Sequence, residues 1–465
     1  MFGSLKTKAF WLFIALVALV GSSASLTVSA QTRQPYLPKI EVQPSSTPPL
    51  VKKTGSSTPV SPKPDIPNPL DADAGGVNIP GYTGILVEDE KGKIVKESYS
   101  DYTFNPASNV KVATSYAVMK TFGPDYRFQT NVYYDGIIDK TTATLNGNLY
   151  VSGRDPVFSF EHGVALADAM NRLGVRSVTG DLIITDRFVM AHNESTQRAG
   201  QLLLASLDTG KRNPVATRAW LEFLNASGKG NQAAYVPSVS VAGALYVDII
   251  PNTAKLLLSH ESAPLREIVK VTNCYSNNFL AERLGDMLGG AYAVARVVQM
   301  NAGVTPQEFS LATSSGLGIN RVTPKAMMKV LKAFRSDLAR YKMTFADVMP
   351  IAGVDPGTLQ NRFKDGFTLG SLVGKTGTLG NTDGGVSALC GEINTRNGGK
   401  MLFVIFNQRG VVGRFRGFQD TYITMIQNEY GGAAALGYAT STLALRMAKT
   451  RITYPNATGN GSALN

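Results

Sequence analysis

The sequence predicts an α+β protein, and three observations support this fold class. An apolar stretch typical of a helix, Val110 to Phe122, comes early in the folded body. Three strand-like segments follow one another near its end, at Ser371 to Thr376, Gly385 to Ile393 and Met401 to Asn407. Hydrophobic residues make up 43% and charged residues 17% of the 465 residues, which suits a globular protein and not a disordered one. The length allows two or three domains.

The N-terminus is typical of an export signal. Lys6 and Lys8 supply a positive start, Phe10 to Val20 is apolar throughout, and Val28 to Ala30 offers small residues at the cleavage positions. The apolar run is short for a helix that spans a bilayer. We therefore expect a cleaved signal over residues 1–30 and a protein exported to the periplasm or cell-wall space, with an uncleaved membrane anchor as the alternative.

A tether and then a hairpin follow the signal. Residues 31–76 are rich in Pro, Ser, Thr and Lys. Such a segment buries too little apolar area to offset its chain entropy, so we expect a disordered tether. The folded body begins near Tyr82, where Thr83 to Asp89 and Lys93 to Tyr99 flank the turn residues Glu90 to Gly92.

The remaining patterns alternate between strand and helix. Pro106 and Ser108 mark the start of the helix at Val110. Further strands are expected at Phe128 to Tyr134, Thr144 to Val151 and Gly180 to Thr185. Further helices are expected at Gly163 to Leu173, Leu265 to Met287, Pro324 to Phe334 and Gln419 to Asn428. Residues 190–235 show no clear pattern.

Cysteines and histidines limit the chemistry. Two cysteines, Cys274 and Cys390, cannot form a disulfide framework, and whether they pair or remain free thiols stays open. His162, His192 and His260 are far apart in sequence, and none lies beside a candidate nucleophile. The sequence therefore gives no support to a Ser-His-Asp triad, and we expect no metal and no cofactor.

The first of three short motifs is Ser108-x-x-Lys111. At a spacing of three on a helix start, the two side chains share one face. The helix N-terminus adds free N–H groups and partial positive charge. A lysine whose pKa is lowered by burial could draw off the proton of the serine hydroxyl. Alone, the motif is more often an N-cap serine beside a solvated lysine.

The second motif places Ser276 and Asn278 on a loop between helices. A hydroxyl and an amide two residues apart can face one cleft, where the serine could relay a proton to a leaving amine and the asparagine could hold a substrate amide. Alone, the motif is more often a polar helix cap.

The third motif, Lys375-Thr376-Gly377-Thr378, ends a predicted strand. Lys375 would place a positive charge over the cleft, Thr376 and Thr378 could bind a carboxylate, and Gly377 leaves room for a substrate. Alone, it is more often a strand end with a solvated lysine. The overlapping string Gly370 to Thr376 has one residue too few for a phosphate-binding loop, and no helical pattern follows it.

Together and in this order, the three motifs resemble those of the penicillin-recognising serine enzymes, which acylate a serine with the help of lysine. The long separation of Ser108 from Ser276 resembles that of the class C low-molecular-mass penicillin-binding proteins of the D-alanyl-D-alanine carboxypeptidase/endopeptidase type. Further strings that resemble the family are Phe122 to Phe128, Leu145 to Val151, Arg154 to Pro156, Ser262 to Leu265 and Ser315 to Leu317. An extra segment, Gly380 to Gly385, follows the third motif and could reshape the rim of the cleft.

The resemblance implies a penicillin-binding, serine β-lactamase-like transpeptidase domain. It would comprise residues 77–143 and 260–450, with an inserted strand-rich module at 144–259 and a flexible tail at 451–465.

The resemblance also implies a role for each motif residue. Ser108 would be the nucleophile and Lys111 its general base. Ser276 would shuttle a proton, Asn278 would position substrate, and Lys375 would stabilise charge. Backbone N–H groups of Ser108 and Thr378 would form an oxyanion hole.

The implied substrate is the D-Ala-D-Ala end of a peptidoglycan stem peptide, or a cross-link beside it, and β-lactams would acylate Ser108 and leave slowly. No nucleic-acid partner is expected. The formal net charge of +12 could favour wall polymers or a membrane surface, or be a solvated surface only. Oligomeric state and the choice between carboxypeptidase and endopeptidase stay open. A β-lactamase or esterase on the same fold, and a non-catalytic wall-binding scaffold, are the alternatives.

Overall fold

The computed structural model describes residues 81–438 and 441–455. The predicted export signal and tether, and the end of the predicted tail, lie outside these ranges. The helices are α1 (Val110–Phe122), α2 (Phe160–Arg172), α3 (Thr196–Leu207), α4 (Pro214–Ala226), α5 (Leu265–Tyr275), α6 (Asn278–Asp286), α7 (Ala291–Ala302), α8 (Pro324–Arg340), α9 (Val412–Glu429) and α10 (Leu443–Met447). Among the described helices, none combines the length and hydropathy needed to cross a bilayer.

The described strands form two large sheets and two small ones. They are β1 (Tyr82–Glu88), β2 (Ile94–Ser98), β3 (Gln129–Tyr134), β4 (Ile137–Asp139), β5 (Thr144–Asn146), β6 (Leu149–Gly153), β7 (Ser177–Val178), β8 (Leu182–Ile184), β9 (Ser240–Val241), β10 (Leu245–Val247), β11 (Lys255–Glu261), β12 (Phe309–Ser310), β13 (Arg321–Val322), β14 (Leu372–Leu379), β15 (Val386–Thr395), β16 (Gly399–Gln408) and β17 (Arg451–Thr453).

The first large sheet is antiparallel and carries helices on both faces. Its strand order is β14-β15-β16-β1-β2. Side chains alternate along β16, so Leu402 and Val404 face a core built with α1 and α5 to α8, whereas Phe403 and Ile405 face α9. The sheet is therefore buried on both sides, and the predicted α+β class is confirmed.

The second large sheet has the strand order β10-β8-β6-β3-β11-β17 and packs against α2 and α3. The predicted insert, residues 144–259, carries the strands β5 to β10 and also the helices α2, α3 and α4. β3 precedes residue 144 and pairs with β6 and β11. In the predicted flexible tail, Arg451–Thr453 pairs with β11, which satisfies the hydrogen-bonding groups of an edge strand.

Two histidines lie in the core of this insert. His260 on β11 and His162 on α2 are fully buried, with ring centroids 4.8 Å apart, and Phe158 contacts both rings. Neither ring nitrogen of His260 has a hydrogen-bond partner within the described residues. Burial lowers the pKa of both imidazoles, and for His260 the neighbouring His162 and Arg127 lower it further.

The chain after the first sheet packs against α5 through α10 and the residues that follow it. Glu267 accepts hydrogen bonds from Arg446 at 2.7 Å and from Lys449 at 2.7 Å. These contacts hold α10 against α5 and lead the chain to β17. The C-terminal segment thus links the two sheets.

Candidate active site

Ser108 lies in a 3₁₀ turn, Ala107–Asn109, that runs directly into α1. Ala107 has a φ of 45°, and Gly316, with a φ of 88°, packs against its carbonyl group. A side chain at position 316 would place its Cβ 2.0 Å from the Ala107 oxygen, so glycine is required there. This close approach holds the half-buried Ser108 at the start of the helix.

Lys111 extends from the first turn of α1 to the Ser108 hydroxyl. Its Nζ atom lies 2.9 Å from Ser108 Oγ, 2.7 Å from Asn278 Oδ1 and 2.6 Å from the Ser315 carbonyl oxygen. The side chain is fully buried. Burial lowers the pKa of Lys111 to about 7, and the charge of Glu282 offsets part of that effect. At neutral pH a large fraction of Lys111 is therefore unprotonated and can accept a proton.

Ser276 is set in place by a break between two helices. The predicted single helix from Leu265 to Met287 is divided, because Ser276 adopts a left-handed conformation with a φ of 52° at the end of α5. Asn277 then caps α6 by accepting a hydrogen bond from the Leu280 N–H at 3.0 Å. The break turns both Ser276 and Asn278 towards the cleft, where they contact Lys375 and Lys111, the two buried lysines.

Lys375 on β14 is the second fully buried lysine of the cleft. Its Nζ donates to Ser276 Oγ at 2.8 Å and to the Thr376 carbonyl oxygen at 2.7 Å. Burial lowers the pKa of Lys375 well below its usual value, and the charge of Lys111 lowers it further. Because the two lysines disfavour each other's protonation, the cleft can hold a neutral amine close to the serine hydroxyls.

The third motif packs closely on the Ser108 turn. A side chain at Gly377 would place its Cβ 2.7 Å from the Pro106 oxygen, so only glycine lets β14 approach this turn. Thr376 Oγ1 lies 2.8 Å from Thr358 Oγ1, and Thr378 Oγ1 accepts a hydrogen bond from Arg416 at 3.0 Å. Both threonine hydroxyls line the cleft beside Ser108.

The cleft has a volume of ≈ 670 Å³. The predicted residues that line it are Ser108, Ser276, Asn278, Thr376 and Thr378, and the others are Leu317, Thr358, Asn361, Arg362, Arg416 and Asp420. The structure therefore brings the three motifs together, with Lys111 and Lys375 beneath the floor.

Sequence reasoning missed the wall formed by Thr358, Asn361 and Arg362. Thr358 is positioned by its own N–H, which donates to the Cys274 carbonyl oxygen at 2.9 Å. A side chain at Gly357 would come within 2.0 Å of the same oxygen. The turn residues Pro356 and Gly357 signal a loop, but no sequence pattern shows which helix that loop contacts.

The opposite wall comes from α9. Arg416 and Asp420 are four residues apart, which places them on one helix face, but this spacing does not show that the helix contacts the cleft. Asp420 accepts a hydrogen bond from Arg362 Nε at 2.9 Å across the cleft. The two walls are thus joined by an ion pair near Ser108.

The extra segment Gly380 to Gly385 supports the serine turn and is not a lining of the cleft. Asp383 pairs with Arg321 at 2.9 Å and accepts from Asn105 Nδ2 at 2.8 Å. Asn105 Oδ1 in turn accepts the Ala107 N–H at 3.1 Å. These contacts brace the turn that carries Ser108 from behind.

The two cysteines are free and buried. Burial raises the pKa of Cys274 and of Cys390 to about 12, so both thiols are unreactive at neutral pH. In the part of the chain that the structure describes, no group of three His, Cys, Asp or Glu side chains is arranged to hold a metal ion.

Comparison with known proteins identifies a family model that spans most of the folded body. The model of the D-Ala-D-Ala carboxypeptidase 3 (S13) family matches residues 79–200 and 232–418. A D-alanyl-D-alanine carboxypeptidase from an Actinomadura species is 26% identical over 400 residues, covering 65% of this chain and 73% of the relative. Carboxypeptidase DacB from Mycolicibacterium smegmatis is 24% identical over 432 residues, covering 86% of this chain and 92% of the relative.

Solved structures share the fold at lower identity. A predatory endopeptidase from Bdellovibrio bacteriovorus, in complex with an immunity protein, superposes with a TM-score of 0.67 at 21% identity, covering 80% of this chain and 100% of that chain. Penicillin-binding protein 4 from Haemophilus influenzae, complexed with a β-lactam, gives a TM-score of 0.56 at 19% identity. The match covers 78% of this chain and 99% of that chain. The expectation of a penicillin-binding fold is confirmed.

Proposed function

The chain belongs to the D-Ala-D-Ala carboxypeptidase 3 (S13) family and is a serine-type D-Ala-D-Ala carboxypeptidase, and we propose that it acts through an acyl-enzyme formed on Ser108. The observation that carries this assignment is the 2.9 Å contact between Lys111 Nζ and Ser108 Oγ, made by a fully buried amine. A buried lysine whose pKa is lowered to about 7 is suited to act as a general base near neutral pH.

In acylation, neutral Lys111 takes the proton of Ser108 Oγ as that oxygen attacks the carbonyl carbon of the scissile amide. The negative charge that develops on the carbonyl oxygen is held by the backbone N–H groups of Ser108 and Thr378, the expected oxyanion hole. The C–N bond then breaks, and the leaving amine receives a proton from Ser276 Oγ. Ser276 regains a proton from the protonated Lys111, which is thereby neutral again for deacylation, and Lys375, 2.8 Å from the Ser276 hydroxyl, holds that hydroxyl in place.

In deacylation, water attacks the ester and regenerates Ser108. Lys111 is the nearest group that can accept the proton of the water, since Asn278 and Ser315 fix its amine beside the ester position. Asn278 also holds the substrate amide through its remaining hydrogen-bonding groups. Thr376, Gly377 and Thr378 form the strand edge along which the substrate lies.

The proposed substrate is a peptidoglycan stem peptide that ends in D-Ala-D-Ala. Cleavage of a cross-link beside it is a second activity of the same site, and the Bdellovibrio endopeptidases share this fold. β-Lactams would acylate Ser108 because they present a strained amide to the same nucleophile, and a penicillin G-acylated Bdellovibrio endopeptidase has been solved. A protein acting on peptidoglycan works outside the cytoplasm, and the signal-like residues 1–30 support export to the periplasm or cell-wall space.

Mass spectrometry after incubation with benzylpenicillin tests the assignment. We expect one adduct on Ser108, its absence in Ser108→Ala, and its retention in the control Ser310→Ala, which alters an exposed serine. No adduct with intact drug would contradict the proposal and favour a non-catalytic scaffold. Hydrolysed drug without an adduct would favour a β-lactamase.

A further inference from the structure

Glu282 is a half-buried carboxylate on α6 to which the three motifs assign no role. Its two oxygens accept the backbone N–H groups of Ser314, at 3.1 Å, and of Ser315, at 2.9 Å. The Ser315 carbonyl oxygen in turn accepts a hydrogen bond from Lys111 Nζ at 2.6 Å. We propose that Glu282 is a positioning residue, which holds this carbonyl group in place and so directs the Lys111 amine at Ser108. This inference rests on the proposed function, in which Lys111 is the general base.

One face of α6 packs closely on the segment formed by Ser314 and Ser315. Asn278, Glu282 and Gly285 follow one another at spacings of four and three residues, so they share this face. A side chain at Gly285 would place its Cβ 2.5 Å from Ser314 Cβ, so only glycine lets the segment approach the helix this closely. Both serines are fully buried, and a buried backbone N–H group needs a hydrogen-bond partner. Glu282 supplies that partner for both and thereby fixes the segment on α6.

The same segment is held by α1 from its other side. Thr114 Oγ1 donates to the Ser314 carbonyl oxygen at 2.7 Å. Lys111, one turn earlier on α1, donates to the other carbonyl oxygen of the segment and, at 2.7 Å, to Asn278 Oδ1. The Lys111 amine is therefore linked to α6 twice, directly through Asn278 and indirectly through the segment that Glu282 holds.

These two acceptors determine where the lone pair of neutral Lys111 points. A neutral amine has two N–H bonds and one lone pair. The Ser315 carbonyl oxygen and Asn278 Oδ1 can only accept, so they take the two N–H bonds. The lone pair is then left for the third neighbour, Ser108 Oγ at 2.9 Å, whose proton it removes. If the Ser315 carbonyl group shifts, one N–H bond loses its acceptor and the amine can turn away from the hydroxyl.

The charge of Glu282 also acts on Lys111. Burial lowers the pKa of Lys111 to about 7, and the negative charge of Glu282 opposes this effect. On β14, the buried Lys375 is the other ionisable group near this amine, and protonation of either lysine disfavours protonation of the other. The segment of Ser314 and Ser315 adds no charge. Loss of the Glu282 charge should therefore lower the pKa of Lys111 further, so that the amine stays neutral at a lower pH.

Stopped-flow acylation of the full chain by benzylpenicillin between pH 5 and pH 9 tests the inference. Glu282→Gln removes the charge and leaves one oxygen where two N–H groups need acceptors. We expect its maximal rate to fall about 10- to 100-fold, the scale of a displaced catalytic group. The pH of its half-maximal rate should fall by about 0.5 to 1 unit. Glu282→Asp keeps the charge on a shorter side chain, so it should lower the maximal rate and leave that pH unchanged.

Asp286→Asn is the matched control. It removes the same charge from the end of the same helix, one turn beyond Glu282, where the side chain is exposed and pairs with Arg283 at 3.3 Å. Both the maximal rate and the pH of half-maximal rate should match those of the unsubstituted protein.

Thermal unfolding of each variant separates a positioning role from a purely structural one. An unchanged maximal rate and pH profile in Glu282→Gln would reject the inference, even if its melting temperature fell. If Glu282→Gln does not fold, Glu282→Asp decides alone, and an unchanged maximal rate in that variant would reject the inference. Failure of the proposed function would show instead in the unsubstituted protein, as no penicillin adduct on Ser108 or an acylation rate that does not change with pH.

Discussion

The cleft beside Ser108 and the contact between α5 and residues 346–355 both bury lysine side chains, but with different partners. Lys111 and Lys375 in the cleft are fully buried, and so is Lys270 on α5. Lys270 Nζ donates to Asp355 Oδ2 at 2.6 Å and to two backbone carbonyl oxygens. The cleft lysines donate to the hydroxyls of Ser108 and Ser276 and to carbonyl oxygens.

We expect this difference in partners to separate a structural lysine from the proposed catalytic ones. A carboxylate offsets the desolvation of an ammonium group, so the Lys270–Asp355 pair can tie a loop to a helix. Without a carboxylate at contact distance, burial lowers the pKa of Lys111 and Lys375. Burial alone therefore does not mark a candidate general base, and the partner of the buried amine is the further criterion.

The largest expected effect is that of Lys111→Met. Loss of a general base lowers the rate of acylation by about 10²- to 10⁴-fold, whereas folding should persist because no buried carboxylate loses its partner. The measurement is the second-order rate of benzylpenicillin acylation, with thermal unfolding in parallel. Lys120→Met, at the exposed end of the same helix, is the control. Acylation at the unsubstituted rate would contradict the role of Lys111.

Lys270→Met should have the opposite profile. It leaves Asp355 buried without its cation, which costs about 3–5 kcal/mol in the free energy of unfolding. Denaturant unfolding measures this loss. The double variant Lys270→Met, Asp355→Leu removes both charges and should recover much of the stability. Equal midpoints for the single and double variants would show that the ion pair is not what stabilises this contact.

The pH dependence of acylation should report the cleft lysine. Because burial lowers the pKa of Lys111 to about 7, the amine is protonated below that pH and cannot accept a proton. The acylation rate should therefore rise with pH through about 7 and fall about tenfold for each unit below it. Stopped-flow acylation between pH 5 and pH 9 tests this profile. A rate that is constant over this range would argue against Lys111 as the base.

The smallest effect concerns His260, which is buried without either kind of partner. Because burial, His162 and Arg127 hold its pKa below that of an unfolded histidine, protonation favours the unfolded chain as the pH falls below about 6.5. His260→Phe should therefore gain several degrees in melting temperature relative to the unsubstituted protein at pH 5, and less at pH 8.

Comparing the melting temperatures of His260→Phe and the unsubstituted protein at each pH separates the effect of His260 from that of neighbouring acids. The Asp155 carboxyl group, whose pKa burial raises to about 7, acts in the opposite direction, as does the charge of Glu161 on His162. Both remain in the variant. A melting difference that is the same at pH 5 and pH 8 would contradict the linkage.

The sequence predicted those parts of the site whose geometry is local. The helix Val110–Phe122 has the predicted bounds because its start signals and apolar residues are contiguous. The motif residues could be identified in sequence for the same reason. The apolar pattern from Leu265 to Met287 does not show the break at Ser276, because no Gly or Pro marks it, and only the second motif indicated a loop there. The contact of the Ser276 hydroxyl with Lys375, 99 positions away, has no local signal.

Other parts of the cleft depend on tertiary contacts, and the helices within residues 190–235 depend on start signals that the apolar pattern does not show. Thr358 and Arg416 reach the cleft only because distant segments pack beside β14, and no local pattern reports such packing. In residues 190–235, by contrast, Ser195 and Asn213 act as helix caps and Pro214 occupies the first turn of α4. These start signals were present in the sequence, and they account for the helices of the insert.

The pairing of β1 with β16 has a consequence for how the molecule assembles. The side chain of Thr83 on β1 accepts a hydrogen bond from Asn407 on β16, 324 positions later. An isolated two-stranded hairpin is marginally stable in water, so β1 and β2 lack a sheet until almost the whole chain has been synthesised. Contacts of such high sequence separation slow folding and leave strand edges exposed in the meantime. The nascent protein therefore passes through a long interval in which its first strand is open to misassembly.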